Sequence, residues 1–468
     1  MLRAILFASL LSCVAGCPDR SIAKVDPEQS GAFTKNIPIS AEIDILFVID
    51  NSGSTKQKQT LFARNFEQFV TAIDTKFPQG RPNLHIGVVS STIDLGVNVP
   101  SAPACHPAVG ENGLLQNTRR PQCDPASGPP TGRFIEDIAL PTGGRRTNYP
   151  GELSKALPCI AQLGDTGCGF ESPLEAMKRA LDGSNPQNAG FLREDAFLAV
   201  VILTDEDDCS AKKPTEFFSL PTSMVGPDDM RCSSQAFLCD QPISTSAPGD
   251  YTNCRVRTDS YLTAPSAYAE FLATVKDPSR TVVALIAGDP KSDISFGRVV
   301  FDATVSQPLG LLPSCNTTID GNPQIGRPAN RLAAFLGTYG NRGLFRTVCQ
   351  ADYSQALADI GQLLFNAVSP CLEGELSTRD VDDRNPGTQL DCEVSDVVDP
   401  FAAHPIETQI PRCAMADATT PAAGGARPCY WIASNPAACT TATGLELRVE
   451  RTSPPAAGTE LRVSCALE

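Results

Sequence analysis

The sequence predicts an α/β fold, a mostly parallel sheet covered by helices, from three observations. Residues 43–49, I-D-I-L-F-V-I, form an apolar run of strand length that stops at Asp50. Behind it Leu61, Phe62, Phe66, Phe69, Val70 and Ile73 recur at helical spacing, and a second apolar run follows at 84–89. Strand, helix and strand in this order imply parallel strands joined by a crossover helix.

At the N-terminus, Met1-Leu2-Arg3 is basic, residues 4–15 are mostly apolar and Val14-Ala15-Gly16-Cys17 closes the run. It is shorter than the roughly 20 residues a membrane-spanning helix needs, and it reads as an export signal over 1–16. V-A-G-C resembles the bacterial lipobox, which implies cleavage before Cys17 and a lipid on its sulfur; Leu10-Leu11-Ser12-Cys13 fits more loosely. Of the 18 cysteines, cutting before Cys17 removes Cys13, lipidates Cys17 and leaves an even number to pair. No C-x-x-C is present, so the expectation is structural disulfides in an oxidising compartment. Residues 17–39 read as a tether.

A helix of about 15 residues is expected after Ser54. Residues 92–150, rich in Pro, Gly and Asn and holding Cys105 and Cys123, read as a disulfide-held insertion. Helices follow at 152–163 and 172–181, the latter with Pro173 in its first turn. F-L-A-V-V-I-L at 197–203 is a fully buried strand that runs into Thr204-Asp205. A second insertion carries Cys209, Cys232, Cys239 and Cys254. Helix 266–275, strand 281–287, a loop with Cys315, helix 329–336, strand 343–348 and helix 354–367 close a unit spanning 40–370. Residues 371–468 change character, with further cysteines and E-L-R-V repeated on either side of Ser453-Pro454-Pro455, and read as a small disulfide-rich β module with two strands joined by a turn.

The net charge of −15 argues against nucleic acid and against electrostatic attachment to an anionic membrane. It suits cations and basic partners. The 39 prolines and 35 glycines beside 41% apolar residues indicate a folded core with irregular insertions.

Asp50, Ser52 and Ser54 bring one carboxylate and two hydroxyls to the end of the first strand, and Asp205 ends another. Open parallel sheets bind ligands outside the carboxyl ends of their strands. Hard oxygen donors without a nearby histidine or thiolate suit Mg²⁺, Mn²⁺ or Ca²⁺ rather than zinc.

With D-x-S-x-S after the first strand and L-T-D after a later one, the chain resembles the von Willebrand factor A domain family. More narrowly, it resembles the cysteine-rich A-domain lipoproteins of Gram-negative bacteria. The resemblance covers roughly residues 40–370 and implies a doubly wound, Rossmann-like sheet with helices on both faces. It also implies a metal-ion-dependent adhesion site in which Asp50, Ser52 and Ser54 form the first loop and Asp205 the third. The middle loop departs from the commonest pattern: five residues before Ala176 stands Glu171, a residue type that integrin β sites use there, and Thr166 is the alternative. Glu206 replaces the usual glycine after the third-loop aspartate. In the family an acidic side chain of a protein partner completes the metal's coordination. The resemblance thus implies a non-enzymatic binding protein, lipid-anchored in the cell envelope, with no nucleic-acid partner.

Other readings stand beside it. Asp50-Asn51-Ser52-Gly53 also suits a simple capped turn. Glu206, Asp207 and Asp208 read as a solvated acidic loop. A serine after a strand, with Asp399 and His404 near the end of the chain, suggests a secreted serine esterase, though the spacing differs and the chain has 3 histidines in all. A scaffold whose metal site is unused is the third reading.

Overall fold

The computed structural model describes residues 32–467 except 39–40, 78–79, 107–110, 141, 299–307, 438, 440, 442, 454 and 457–458. The export signal and Cys17 lie outside the described residues.

The main sheet is built from β2 (Glu42–Ile49), β3 (Asn83–Ser90), β4 (Ile135–Ala139), β5 (Arg145–Thr147), β6 (Phe197–Leu203), β7 (Thr281–Ala287) and β10 (Gly343–Thr347). Its order is β10-β7-β6-β2-β3-β4-β5, and a hairpin of β8 (Cys315–Ile319) and β9 (Asn322–Gly326) forms a separate two-stranded sheet. The first five strands in the main sheet's order are mutually parallel, while β4 and β5 add antiparallel at one edge. Residues 92–150 are therefore more than an insertion, because part of them extends the sheet. Asn148 explains that pairing: its side chain bonds the Phe134 carbonyl and the Glu136 amide, bridging the segment across its own turn.

Helices cover both faces, as the two-residue strand period requires. Ile43, Ile45, Phe47 and Ile49 pack against α1 (Lys56–Lys76), the short α2 (Leu153–Ala156) and α3 (Pro158–Ala161), and α8 (Ser354–Val368). Leu46 and Val48 point the other way, into a core shared with α4 (Pro173–Leu181), α6 (Pro265–Val275) and α7 (Asn330–Gly337). Helix α1 is longer than expected, because its stripe of Phe62, Phe66 and Phe69 runs the full depth of the sheet around Phe47, with ring centroids 5.6–6.0 Å away. Gly361 lets α8 lie close on α1: a Cβ there would stand 2.7 Å from that of Ala72. Pro158 divides the helix expected at 152–163 into two short pieces, since it offers no amide to continue the ladder.

The C-terminal module has a sheet of order β1-β15-β11-β12, comprising β1 (Ala32–Pro38), β15 (Glu460–Ala466), β11 (Cys392–Val398) and β12 (Ile406–Ile410). A separate hairpin joins β13 (Cys429–Ser434) to β14 (Leu445–Glu450). Two expectations are corrected. Residues 32–38 are not tether: they pair along their whole length with β15. Their side chains carry only a weak period, and the pairing is made by backbone groups that any sequence possesses. The E-L-R-V segments are both strands, but they belong to different sheets and do not pair with each other. The module meets the amino-terminal edge of the main sheet, where Arg280 pairs with Glu460 and lies 4.4 Å from the Phe401 ring.

Eight disulfides pair every cysteine after Cys17: 105–168, 123–159, 209–232, 239–254, 315–349, 371–439, 392–465 and 413–429. Such a set suits an oxidising compartment. Among the described residues no helix is long and apolar enough to cross a membrane.

Candidate metal centre

The chain runs from β2 to β3 on one side and returns to β6 on the other, so strand order reverses between β2 and β6. In open sheets of this kind, the region outside the carboxyl ends of the strands at such a reversal is where ligands bind. The Asp50 amide donates to the Leu203 carbonyl at 2.9 Å, locking the two strand ends together. Asp50 Oδ1 accepts the Ser52 amide at 2.8 Å and the Ser91 hydroxyl at 3.2 Å, while Oδ2 accepts the Thr204 hydroxyl at 2.8 Å. The Thr55 hydroxyl donates to the carbonyls of Asp50 and Ser52, curling the loop into the first turn of α1. Ser52 and Ser54 are thereby turned toward each other, with their Oγ atoms 3.4 Å apart. Ser54 also donates to Asp205 Oδ1 at 3.1 Å. Asp50, Ser52 and Asp205 are buried, whereas Gly53 and Ser54 are exposed and form the rim.

Asn51 anchors the middle loop. Its carbonyl accepts the Gly167 amide at 2.8 Å, and its side chain takes the Thr92 hydroxyl and donates to Glu111. A Cβ at Gly167 would fall 2.2 Å from Asn51 Oδ1, so this approach requires glycine. Gln59 clamps the same loop by bonding both the amide and the carbonyl of Gly164. The 105–168 disulfide ties this loop to the first insertion, and the 209–232 disulfide ties the third loop to α5 (Asp228–Ala236).

Asp50, Ser52, Ser54 and Asp205 are thus joined through hydrogen bonds that the Glu171 side chain does not share. Glu171 is 4% exposed, its carbonyl accepts the Cys209 amide at 2.7 Å, and its side chain makes no hydrogen bond to the other four. Its carboxyl is held well above the usual range, first by burial and then by the charges of Glu206, Asp50 and Asp205. Thr166 is exposed beside Gly167. Burial, followed by the Asp205 charge, pushes Asp50 up to about 6. Burial pushes Glu206 up to about 7 against the pull of Arg327, whose guanidinium is 3.2 Å away.

The acidic run after Asp205 is not a solvated loop, which corrects the sequence reading. Asp207 caps α7 by accepting the amides of Arg331 and Leu332. Asp208, 1% exposed, pairs with the fully buried Arg331 at 3.0 Å and accepts the Leu174 amide. The charges face inward because their partners come from α7 and α4, far away in sequence.

Several residues of the centre were not anticipated. Thr204 orients Asp50, and its place between the strand end and Asp205 was the available signal. Lys58, 1% exposed, donates to Asp205 Oδ2 at 2.7 Å, Gln324 Oε1 at 2.9 Å and the Ser54 carbonyl at 3.0 Å. It lies on the buried stripe of α1 one turn before Phe62, where a lysine without a buried partner would be costly.

The donors fit a hard divalent cation in chemistry: two hydroxyls face one point beside two carboxylates, and Asp50 is held above its ordinary pKa first by burial and then by the neighbouring Asp205 charge. Among the described residues no three His, Cys, Asp or Glu side chains form a metal-holding group, so such a cation would rest on the serines and at most two carboxylates. The esterase arrangement is not formed. Phe401, between Asp399 and His404, packs on Arg280 at the amino end of β7, a strand length of about 20 Å from the end where Ser52 sits.

No family model matches this chain, and no curated protein matches it in sequence. Among solved structures, the pilus adhesin SpaC from Lactobacillus rhamnosus GG aligns over 94% of this chain and 42% of its own, at 11% identity and TM-score 0.31. A von Willebrand factor type A protein from Catenulispora acidiphila aligns over 93% and 60%, at 10% identity and TM-score 0.26. The human COPII-coat protein Sec24c aligns over 96% and 48%, at 8% identity and TM-score 0.28. This chain spans less than two thirds of each of these proteins, and a likeness at this level assigns no function.

Proposed function

We propose that this protein is a divalent-cation-dependent protein-binding module of the von Willebrand factor A type, acting in adhesion or envelope assembly. One observation carries the reading: the hydroxyls of Ser52 and Ser54 meet Asp50 and Asp205 at the switch point of a parallel sheet. Mg²⁺, Mn²⁺ or Ca²⁺ held there would supply a Lewis-acidic centre for an acidic side chain of a partner. The chain's own residues set the conditions. Thr204 and Ser91 hold the Asp50 carboxylate, Glu171 adds a buried carboxyl within reach of the Asp50 and Asp205 charges, and the exposed Gly53–Ser54 rim is the approach. Lipid attachment at Cys17 and a place in the cell envelope belong to the same reading, as does the absence of catalysis.

Calorimetric titration with Mg²⁺ and Mn²⁺ at neutral pH tests it. The wild type binds one ion with a dissociation constant of millimolar or below, on the order of −4 kcal/mol or stronger, and Asp50→Ala does not. Equal binding by the two proteins places the ion elsewhere and refutes the proposed site.

A further inference from the structure

The charged groups around the centre, most of them buried, can be set against one another. Asp50, Glu171, Asp205 and Glu206 face two cations, Arg327 on Glu206 and Lys58 on Asp205. The acidic groups thus outnumber the cations four to two. Lys58 decides that balance. Its three ammonium hydrogens are all used, on Asp205, Gln324 and the Ser54 carbonyl, so it is held as part of the structure and does not reach in from solvent. Asp205 is divided by it: Oδ2 belongs to the lysine, and Oδ1 faces Ser54.

The geometry points to Lys58 as a resident counter-charge that sets the cation affinity of this site, competing with a divalent ion for Asp205. This rests on the metal-binding reading above and goes further in naming how that site is regulated. A lysine salt-bridged to a ligand carboxylate withdraws negative charge from the metal. A bound ion is then held less tightly, and it retains more positive charge for an acidic partner. The same ammonium compensates Asp205 when no metal is present, so the empty loop does not need an ion to remain folded.

The test is Mn²⁺ binding by calorimetry on the full chain. Variants are Lys58→Met, which keeps the length of the side chain, and Lys58→Gln, which keeps a donor and removes only the charge. Both are expected to bind Mn²⁺ more tightly than wild type, on the order of ten- to hundredfold, the range by which a close opposite charge shifts a carboxylate equilibrium. Lys58→Arg retains the charge and stays near wild type. A purely structural lysine would lower the thermal midpoint of the metal-free protein and leave the Mn²⁺ affinity of the folded fraction unchanged. Unchanged or weaker binding by Lys58→Gln, with wild-type binding abolished by Asp50→Ala, overturns the role of Lys58 and leaves the metal site standing. No binding by wild type together with binding by Lys58→Gln supports it strongly. No binding by any variant overturns both readings.

Discussion

Thr204→Val removes one oxygen from the interior of the centre and little else. Thr204 is 1% exposed and its hydroxyl donates to Asp50 Oδ2 at 2.8 Å, while the Glu206 amide donates back to that oxygen at 3.3 Å. Valine fills the same volume, so no cavity is expected. The lost bond to a buried carboxylate is worth about 1.5–3 kcal/mol, and the longer amide bond adds about 0.5–1 kcal/mol. The sum, about 2–4 kcal/mol, should lower the thermal midpoint by a few degrees. The effect on metal should be larger in proportion. Thr204 orients a first-loop ligand without being one, and loss of such a donor typically costs ten- to hundredfold in metal affinity, about 1.4–3 kcal/mol. Differential scanning calorimetry with EDTA, and Mn²⁺ titration, read the two effects separately. Thr204→Ser, which keeps the hydroxyl, should retain most of both. A Thr204→Val protein with wild-type midpoint and wild-type Mn²⁺ affinity would show that Asp50 is not held in the way described.

Two further predictions concern charge and chain constraint. Asp50 is pushed up to about 6 and Glu206 and Asp207 up to about 7, chiefly by burial. Each acid therefore holds its proton more tightly folded than unfolded; the stability this contributes is complete below about pH 4 and is lost as pH rises through about 6–7. The melting midpoint in EDTA should fall between about pH 5 and pH 8, and Mg²⁺ should flatten that fall; a rising midpoint would contradict the assignment. The 105–168 disulfide spans 63 residues, so a Cys105→Ala/Cys168→Ala protein should lose about 4 kcal/mol on the chain-entropy account. Urea unfolding with the other disulfides intact measures it, and an unchanged midpoint would mean that this segment is not constrained by the bridge.

Much of the framework was legible in the residues. The strands at 197–203 and 281–287 have the expected bounds, because an apolar run buried on both faces has no alternative exposed register. Helix α4 follows Pro173 as its first-turn proline indicates. At the centre, D-x-S-x-S and L-T-D pointed to four residues that do converge, since each follows directly from a strand whose end the sheet positions. Glu171 was reached through resemblance, and its place outside the hydrogen-bonded set was not readable from spacing.

What the sequence determined alone was whatever depends on near neighbours: the period of strands and helices, the polar turn after β2, and a cysteine count that could close in pairs. Tertiary structure alone decided the partners of polar groups. Lys58 meets Asp205 across 147 residues, Arg331 meets Asp208 across 123, and Ala32–Pro38 finds its strand partner at the far end of the chain. The physical reason is the range of the forces. Apolar burial is non-directional and leaves a periodic trace along the chain. A buried charge or a strand edge instead needs one particular partner, and only folding brings that partner within hydrogen-bond distance.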